Sequence, residues 1–181
     1  HIVARSADFG LDAGRLAVAG DSVGGNMAIA MTMKAKDAGA PKIAFQLLIY
    51  PVTDAAMTSE SYTLYKNGPW LTRKAMEWFW KMYAPDENDR ASPLASPLNW
   101  PVEAMKGLPP ALVITDENDV LRDEGEAYAR KLDAAGVRAT SVRFNGTIHD
   151  FMMLNPVSES PATRDAVLLA VAKLRDVFGI C

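Results

Sequence analysis

The sequence predicts an α/β fold, with a parallel sheet and helices that flank it. Short apolar runs typical of buried strands alternate along the chain with amphipathic stretches at helical spacing. The 181 residues are 49% hydrophobic and 23% charged, a composition typical of one globular domain. Even the long apolar run Ile43–Val52 is far too short to span a bilayer.

Four strands are predicted, and residues that break regular structure adjoin several of them. The first leads into Gly20, the second stops at Pro51, and two prolines precede the third. The fourth alternates polar and apolar residues, as a half-buried strand does. The predicted strands are Arg15–Ala19, Ile43–Tyr50, Ala111–Thr115 and Arg138–Phe144.

Helices are predicted before, between and after these strands. Gly39 and Pro41 end one helix and Gly136 ends another, because glycine adopts the left-handed C-cap conformation and proline cannot continue a helix. The predicted helices are Ile2–Leu11, Gly24–Ala38, Thr72–Tyr83, Asp123–Ala135 and Pro161–Phe178.

The stretch from about residue 54 to 106 interrupts this alternation with an aromatic-rich helix and a proline-rich loop. We interpret it as an insertion that lies over the sheet within a single domain spanning residues 1–181. Its tryptophans, Trp70, Trp78 and Trp80, either line a substrate pocket or pack the insertion onto the sheet.

Composition argues against several classes of protein. A net charge of −3 without clusters of Lys and Arg offers no surface for nucleic acid. The single cysteine, Cys181, cannot form an internal disulfide. With two histidines and no cluster of ligands at metal-binding spacing, we expect no metal ion and no cofactor. A cytoplasmic location is expected, since the single cysteine gives no indication of an oxidising compartment.

The segment Gly20-Asp21-Ser22-Val23-Gly24 fits the pattern G-x-S-x-G between a predicted strand and a helix of small residues. In this context the pattern predicts a sharp turn that holds Ser22 in a strained conformation with its hydroxyl exposed. We expect side chains at Gly20 and Gly24 to collide across the turn. The N–H group of Val23, at the start of the helix, is the candidate oxyanion-hole donor.

A serine hydroxyl needs a base to accept its proton, and the chain offers two histidines. His1 is terminal, whereas His149 follows the last predicted strand, where an α/β sheet gathers its site. The acid that orients the imidazole is predicted in the loop after the strand Ala111–Thr115. Asp119, in the middle of that loop, is the predicted acid, and Asp116 is the alternative.

These residues together resemble the hormone-sensitive-lipase-like, bacterial G-D-S-A-G branch of α/β-hydrolase esterases, over essentially the whole chain. The order serine, aspartate, histidine along the chain is also that of this fold. The matching segments are Gly20–Asn26 (GDSVGGN, similar to G-D-S-A-G-G-N), Phe45–Pro51 (FQLLIYP), Asn118–Gly125 (NDVLRDEG, similar to D-P-L-R-D-E-G) and Ile148–Phe151 (IHDF, similar to I-H-G-F).

The resemblance implies a carboxylic ester hydrolase that acts on small-molecule esters of short or medium acyl chains without a cofactor. Its catalytic residues would be Ser22, Asp119 and His149, with Asp119 matching the first aspartate of the family's D-P-L-R-D-E-G segment. Asp150 stands where the family has glycine, and this carboxylate is expected to raise the pKa of His149.

One family feature is absent from the 181 residues, the H-G-G-G segment whose N–H groups complete the oxyanion hole. The chain also has fewer predicted strands than the family. We therefore interpret it as the carboxyl-terminal part of one α/β-hydrolase domain, with the amino-terminal strands outside it and poor activity by itself. The strand Arg15–Ala19 would be an open edge that pairs with another copy or with the amino-terminal segment.

Two alternatives remain open from the sequence. The chain could be a non-catalytic small-molecule-binding protein, or a truncated and inactive member, of the same fold family. The retained His149 favours the enzyme, because the hormone receptors of this fold have lost that histidine. Among enzymes, an amidase or a thioesterase would use the same three residues.

Overall fold

A computed structural model describes residues 1–180, and Cys181 lies outside the described residues. Four parallel strands form one sheet in the order β1-β2-β3-β4, which confirms the predicted α/β class. The strands are β1 (Ala17–Asp21), β2 (Phe45–Ile49), β3 (Ala111–Asn118) and β4 (Ala139–Ile148).

Three strands end later than the sequence predicts. β3 continues to Asn118 and β4 to Ile148, because these two residues pair with each other beyond an irregularity in the ladder. Residues 145–148, which the sequence places in a loop, are therefore strand, and His149 follows β4 directly. β1 likewise runs through Asp21 and leads straight into Ser22.

Seven α-helices accompany the sheet within residues 1–180. The predicted helix at Ile2–Leu11 is instead a 3₁₀ helix, Val3–Phe9, with a non-helical residue at Arg5. The α-helices are α1 (Val23–Ala38), α2 (Glu60–Leu64), α3 (Arg73–Tyr83), α4 (Glu87–Ala91), α5 (Val102–Met105), α6 (Arg122–Ala134) and α7 (Pro161–Phe178). None of these described helices combines the length and apolarity that a bilayer crossing needs.

The central strands β2 and β3 are buried on both faces over most of their length, since alternate residues point to opposite sides of a sheet. On one face Leu48 and Val113 pack with side chains of α1 and α6. On the other face Leu47 and Ile114 pack with side chains of α7, such as Ala166. This double burial explains why β2 is apolar along nearly its whole length.

A third apolar cluster lies under the helices of residues 54–106. Trp80 of α3 is 4% exposed there and packs in the same cluster as Val120 and Leu121, which follow β3. Packing is therefore the correct interpretation of Trp80, whereas Trp70 and Trp78 are exposed. The cluster attaches this segment to the loop that carries Asp119.

Candidate active site

Ser22 is the single residue between the end of β1 and the start of α1. Its backbone angles, φ +50° and ψ −119°, lie outside the helix and strand regions and are strained for a residue with a side chain. Two backbone hydrogen bonds hold this conformation: Ser22 N–H donates to the Ile49 carbonyl at 2.9 Å, and Val52 N–H donates to the Ser22 carbonyl at 3.1 Å. The turn is thus fixed by the end of β2.

Glycines are required where the turn packs most closely. A Cβ at Gly20 would lie 2.1 Å from the Gly24 carbonyl oxygen, and one at Gly25 would lie 2.7 Å from Cβ of Pro51. Gly24 is different, because the nearest atom to its Cβ position, in the Asp21 carboxylate, is 3.7 Å away. The expected collision of a side chain at Gly24 is therefore wrong, and Gly25 is the second glycine that the packing requires.

The ends of three strands bring the three predicted residues together. Ser22 follows β1, Asp119 follows β3 and His149 follows β4, and the carboxyl ends of parallel strands share one edge of the sheet. His149 Nε2 lies 3.0 Å from the Ser22 hydroxyl oxygen, and His149 Nδ1 lies 2.7 Å from Oδ2 of Asp119. His149 and Asp119 are 3% and 1% exposed, so little water competes for these bonds.

Asp119 is held on its other oxygen as well. The N–H of Leu121 donates to Oδ1 of Asp119 at 3.0 Å, which leaves Oδ2 facing the imidazole. With the proton of His149 on Nδ1, that nitrogen donates to Asp119, and Nε2 is free to accept the Ser22 hydroxyl proton. The alternative acid, Asp116, is fully buried nearby, but the hydrogen bond of His149 goes to Asp119.

Several carboxylates act on His149. Burial lowers the pKa of His149, but the negative charges of Asp119, Asp150 and Asp21 outweigh burial, so that the pKa is raised above its ordinary value. Oδ1 of Asp150 lies 3.4 Å from His149 Nε2, the same nitrogen that faces the serine. The raised pKa of His149 agrees with the effect expected from Asp150, which stands where the family has glycine.

Sequence reasoning missed two aromatic contacts, one with the His149 ring and one with the neighbouring Asp150. Tyr50, the residue after β2, packs edge-on against the His149 ring with centroids 4.9 Å apart. The Trp70 indole donates a hydrogen bond of 3.0 Å to Asp150 Oδ2. Both aromatics have positive φ, +35° for Tyr50 and +66° for Trp70. The position of Tyr50 directly after a strand could have placed it at the site, because the other site residues also follow strands. No local sequence feature predicts the hydrogen bond between Trp70 and Asp150.

A helix N-terminus faces the serine. Val23 is the first residue of α1, so its N–H group has no acceptor within the helix. The N-terminal end of a helix carries a partial positive charge that favours an anion. The Val23 N–H is therefore available to an oxyanion that forms on a group bonded to Ser22.

Asp116, Asp119 and His149 also form the one close group of His and carboxylate side chains among residues 1–180. Sequence reasoning predicted that one of the two acids lies beside His149, but not that Asp116 and Asp119 both do. His149 Nδ1 and Asp119 Oδ2 are already bonded to each other, so we assign no metal ion to these residues.

Ser22 is partly exposed, whereas His149 and Asp119 are buried behind it in the chain of hydrogen bonds. Two cavities of about 300 Å³ and about 600 Å³ lie elsewhere, the first beside Leu11 and Phe178 and the second beside Glu126 and Arg143. Neither of these two cavities is lined by Ser22, Asp119 or His149.

Comparison with known proteins agrees with this architecture. The sequence profile of a family described as alpha/beta hydrolase fold matches residues 1–153. The chain belongs to this family. The match spans all four strands and the three residues of the site.

This alpha/beta hydrolase has well-matched relatives. A protein of Acanthamoeba polyphaga mimivirus, named as an alpha/beta hydrolase, is 46% identical over 169 residues, 93% of this chain and 49% of the viral protein. An ethyl acetate hydrolase of Pseudomonas putida is 39% identical over 161 residues, 87% of this chain and 49% of that enzyme.

Solved structures include a thermostable esterase from Pseudomonas putida ECU1011, which is 53% identical with a TM-score of 0.95. The match covers 96% of this chain and 55% of the esterase. The alpha/beta hydrolase chain described here therefore spans about half the length of the relatives it matches.

Proposed function

We propose that the protein is a carboxylic ester hydrolase in which Ser22 is the nucleophile, His149 the general base and Asp119 the residue that orients the base. The observation that carries this proposal is the continuous hydrogen-bonded line from the serine hydroxyl through the imidazole to the carboxylate, with distances of 3.0 Å and 2.7 Å. The names of the esterase relatives support the same reaction class.

In the first half of the reaction, His149 Nε2 accepts the hydroxyl proton as Ser22 Oγ attacks the ester carbonyl carbon. Asp119 stabilises the imidazolium that forms. The tetrahedral intermediate then collapses: the bond to the alcohol oxygen breaks, His149 returns the proton to that oxygen, and an acyl-enzyme remains. In the second half, water loses a proton to His149, attacks the acyl carbon, and releases the acid and Ser22.

The oxyanion is stabilised by backbone donors, of which Val23 N–H is the one we assign within residues 1–180. Loss of one such donor costs about 2.7–4 kcal/mol of transition-state stabilisation in other serine hydrolases. Because the 181 residues contain no H-G-G-G segment, we propose that they hydrolyse esters weakly by themselves. Efficient turnover by the isolated 181-residue chain would contradict this part of the proposal.

Substrates are proposed to be small esters of short or medium acyl chains. The naming of one relative as an ethyl acetate hydrolase supports the short end of this range. The partial exposure of Ser22 supports access of small esters to the nucleophile.

The test is the reaction of the full-length protein with a fluorophosphonate probe and with p-nitrophenyl esters of increasing acyl length. We expect labelling at Ser22 and hydrolysis, both lost in Ser22→Ala. Ser141→Ala is the matched control, because Ser141 is exposed on β4 and should leave labelling and turnover unchanged. Absence of labelling in the folded full-length protein would favour a non-catalytic binding role, and retained turnover in Ser22→Ala would refute the nucleophile.

A further inference from the structure

Asp116 is a buried carboxyl group that the reaction described above does not use. It lies near the end of β3 with 0% exposure, and neither of its oxygens accepts a hydrogen bond within residues 1–180. An oxygen of Asp116, an oxygen of Asp119 and a ring nitrogen of His149 all lie within 4.8 Å of one another. A carboxyl group in such a place needs a physical explanation.

An ionised carboxylate would be very unfavourable there. A buried charge without a donor loses its hydration and gains nothing in return, and a second carboxylate nearby repels it. Burial and the charges of Asp119 and Asp150 raise the pKa of Asp116 to about 10. At neutral pH the group therefore carries a proton.

A protonated carboxyl group is a hydrogen-bond donor as well as an acceptor. The titratable groups that face Asp116 are Asp119, His149, Asp150 and the Tyr50 phenol. Of the two neighbouring aspartates, Asp119 is the one with a carboxylate oxygen within 4.8 Å of Asp116 and His149. A hydrogen bond from a protonated carboxyl group to a carboxylate is among the stronger hydrogen bonds in proteins.

We propose that the neutral Asp116 carboxyl donates a hydrogen bond to the Asp119 carboxylate and thereby positions Asp119 for His149. The inference rests on the proposed function, in which Asp119 orients the base. Asp116 is then a positioning residue, which acts through Asp119 and touches no reacting atom. Its hydrogen bond restrains the Asp119 carboxylate and reduces the negative charge that Asp119 presents to the imidazole.

Two variants of the full-length protein separate this role from simple packing. Asp116→Asn keeps a donor of the same size, whereas Asp116→Leu fills a similar volume with no donor. We expect Asp116→Asn to retain kcat/KM within about threefold. Asp116→Leu should lose about tenfold or more, since a hydrogen bond to a charged group is removed.

The pH profile gives a second readout. Without the donor, more negative charge faces the imidazole, so the pKa of His149 should rise in Asp116→Leu. The acid limb of kcat/KM should then move to higher pH, while Asp116→Asn should leave it in place. Equal profiles and equal rates for Asp116→Leu and the unmodified protein would overturn the proposal.

Magnetic resonance tests the same contact without ester turnover. In the unmodified protein, we expect the Asp116 carboxyl carbon to show the shift of a neutral acid between pH 5 and pH 8. The His149 Nδ1 proton resonance should move in Asp116→Leu and stay close to its original position in Asp116→Asn. An ionised Asp116 at pH 7 would refute the proposal. If the unmodified protein hydrolysed no ester, the proposed function would fail, and these two resonances would still decide the role of Asp116.

Discussion

Asn26 offers a sharp test of how the nucleophile turn is supported. It lies in the first turn of α1, its side chain is buried, and its backbone N–H donates to the Ser22 carbonyl at 3.2 Å. The side-chain amide donates two further hydrogen bonds, to the Val52 carbonyl at 2.9 Å and to the Ala95 carbonyl at 2.7 Å. One amide group therefore joins α1 to the chain after β2 and to the segment of residues 54–106.

Asn26→Ala removes both side-chain bonds and leaves two buried carbonyl groups without their donor. Loss of one partner of a buried hydrogen bond costs about 1–3 kcal/mol, so we expect the free energy of unfolding to fall by about 2–4 kcal/mol. Asn99→Ala is the matched control, because the Asn99 amide donates to the Ala91 carbonyl at 2.9 Å on the exposed surface. Water can replace that hydrogen bond, so we expect Asn99→Ala to change the free energy of unfolding by less than about 0.5 kcal/mol.

The assay is equilibrium urea unfolding of the full-length protein, with fluorescence and circular dichroism followed in parallel. Ester hydrolysis below the unfolding transition reports separately on the turn. If Asn26→Ala and Asn99→Ala destabilised the protein equally, the two buried carbonyls would not depend on Asn26, and the argument would be wrong.

Two further predictions follow from the geometry of the site. Asp150→Asn removes a negative charge 3.4 Å from His149 Nε2, so the pKa of His149 should fall and the acid limb of kcat/KM should move to lower pH. Asp165→Asn is the control, because it removes an exposed carboxylate on α7. If the acid limb of kcat/KM stayed in place or moved to higher pH in Asp150→Asn, the charge of Asp150 would not raise the pKa of His149. Gly20→Ala places a Cβ 2.1 Å from the Gly24 carbonyl oxygen and should cost about 3 kcal/mol or more in the free energy of unfolding. Gly24→Ala should cost far less, because its Cβ position is open, and comparable losses in thermal unfolding would refute the steric account.

The predicted parts of the fold are those that local pattern determines. Apolar runs next to Gly or Pro located β1, β2 and β3, and the alternation of polar and apolar residues located β4. The strand ends moved by several residues where pairing between β3 and β4 continued. The nearness of Ser22, Asp119 and His149 could be predicted because each follows a parallel strand, and such strand ends meet at one edge.

Contacts between distant segments could not be predicted in the same way. The hydrogen bond from Trp70 to Asp150 joins residues 80 positions apart, and it depends on how the segment of residues 54–106 folds back. The burial of Asp116 depends on neighbours from several elements. The sequence favours Asp119 over Asp116 as the acid that orients His149, but it does not predict that Asp116 is buried without a hydrogen-bond donor.

That difference explains how the site can hold so many acids. Asp21, Asp119 and Asp150 all act on His149, and each stabilises the protonated imidazole. A base must be neutral to accept a proton from Ser22, so every added negative charge moves activity to higher pH. A fourth negative charge, on Asp116, would raise the pKa of His149 further. Burial without a donor keeps Asp116 neutral instead, which converts a competing charge into a donor for the carboxylate that orients the base.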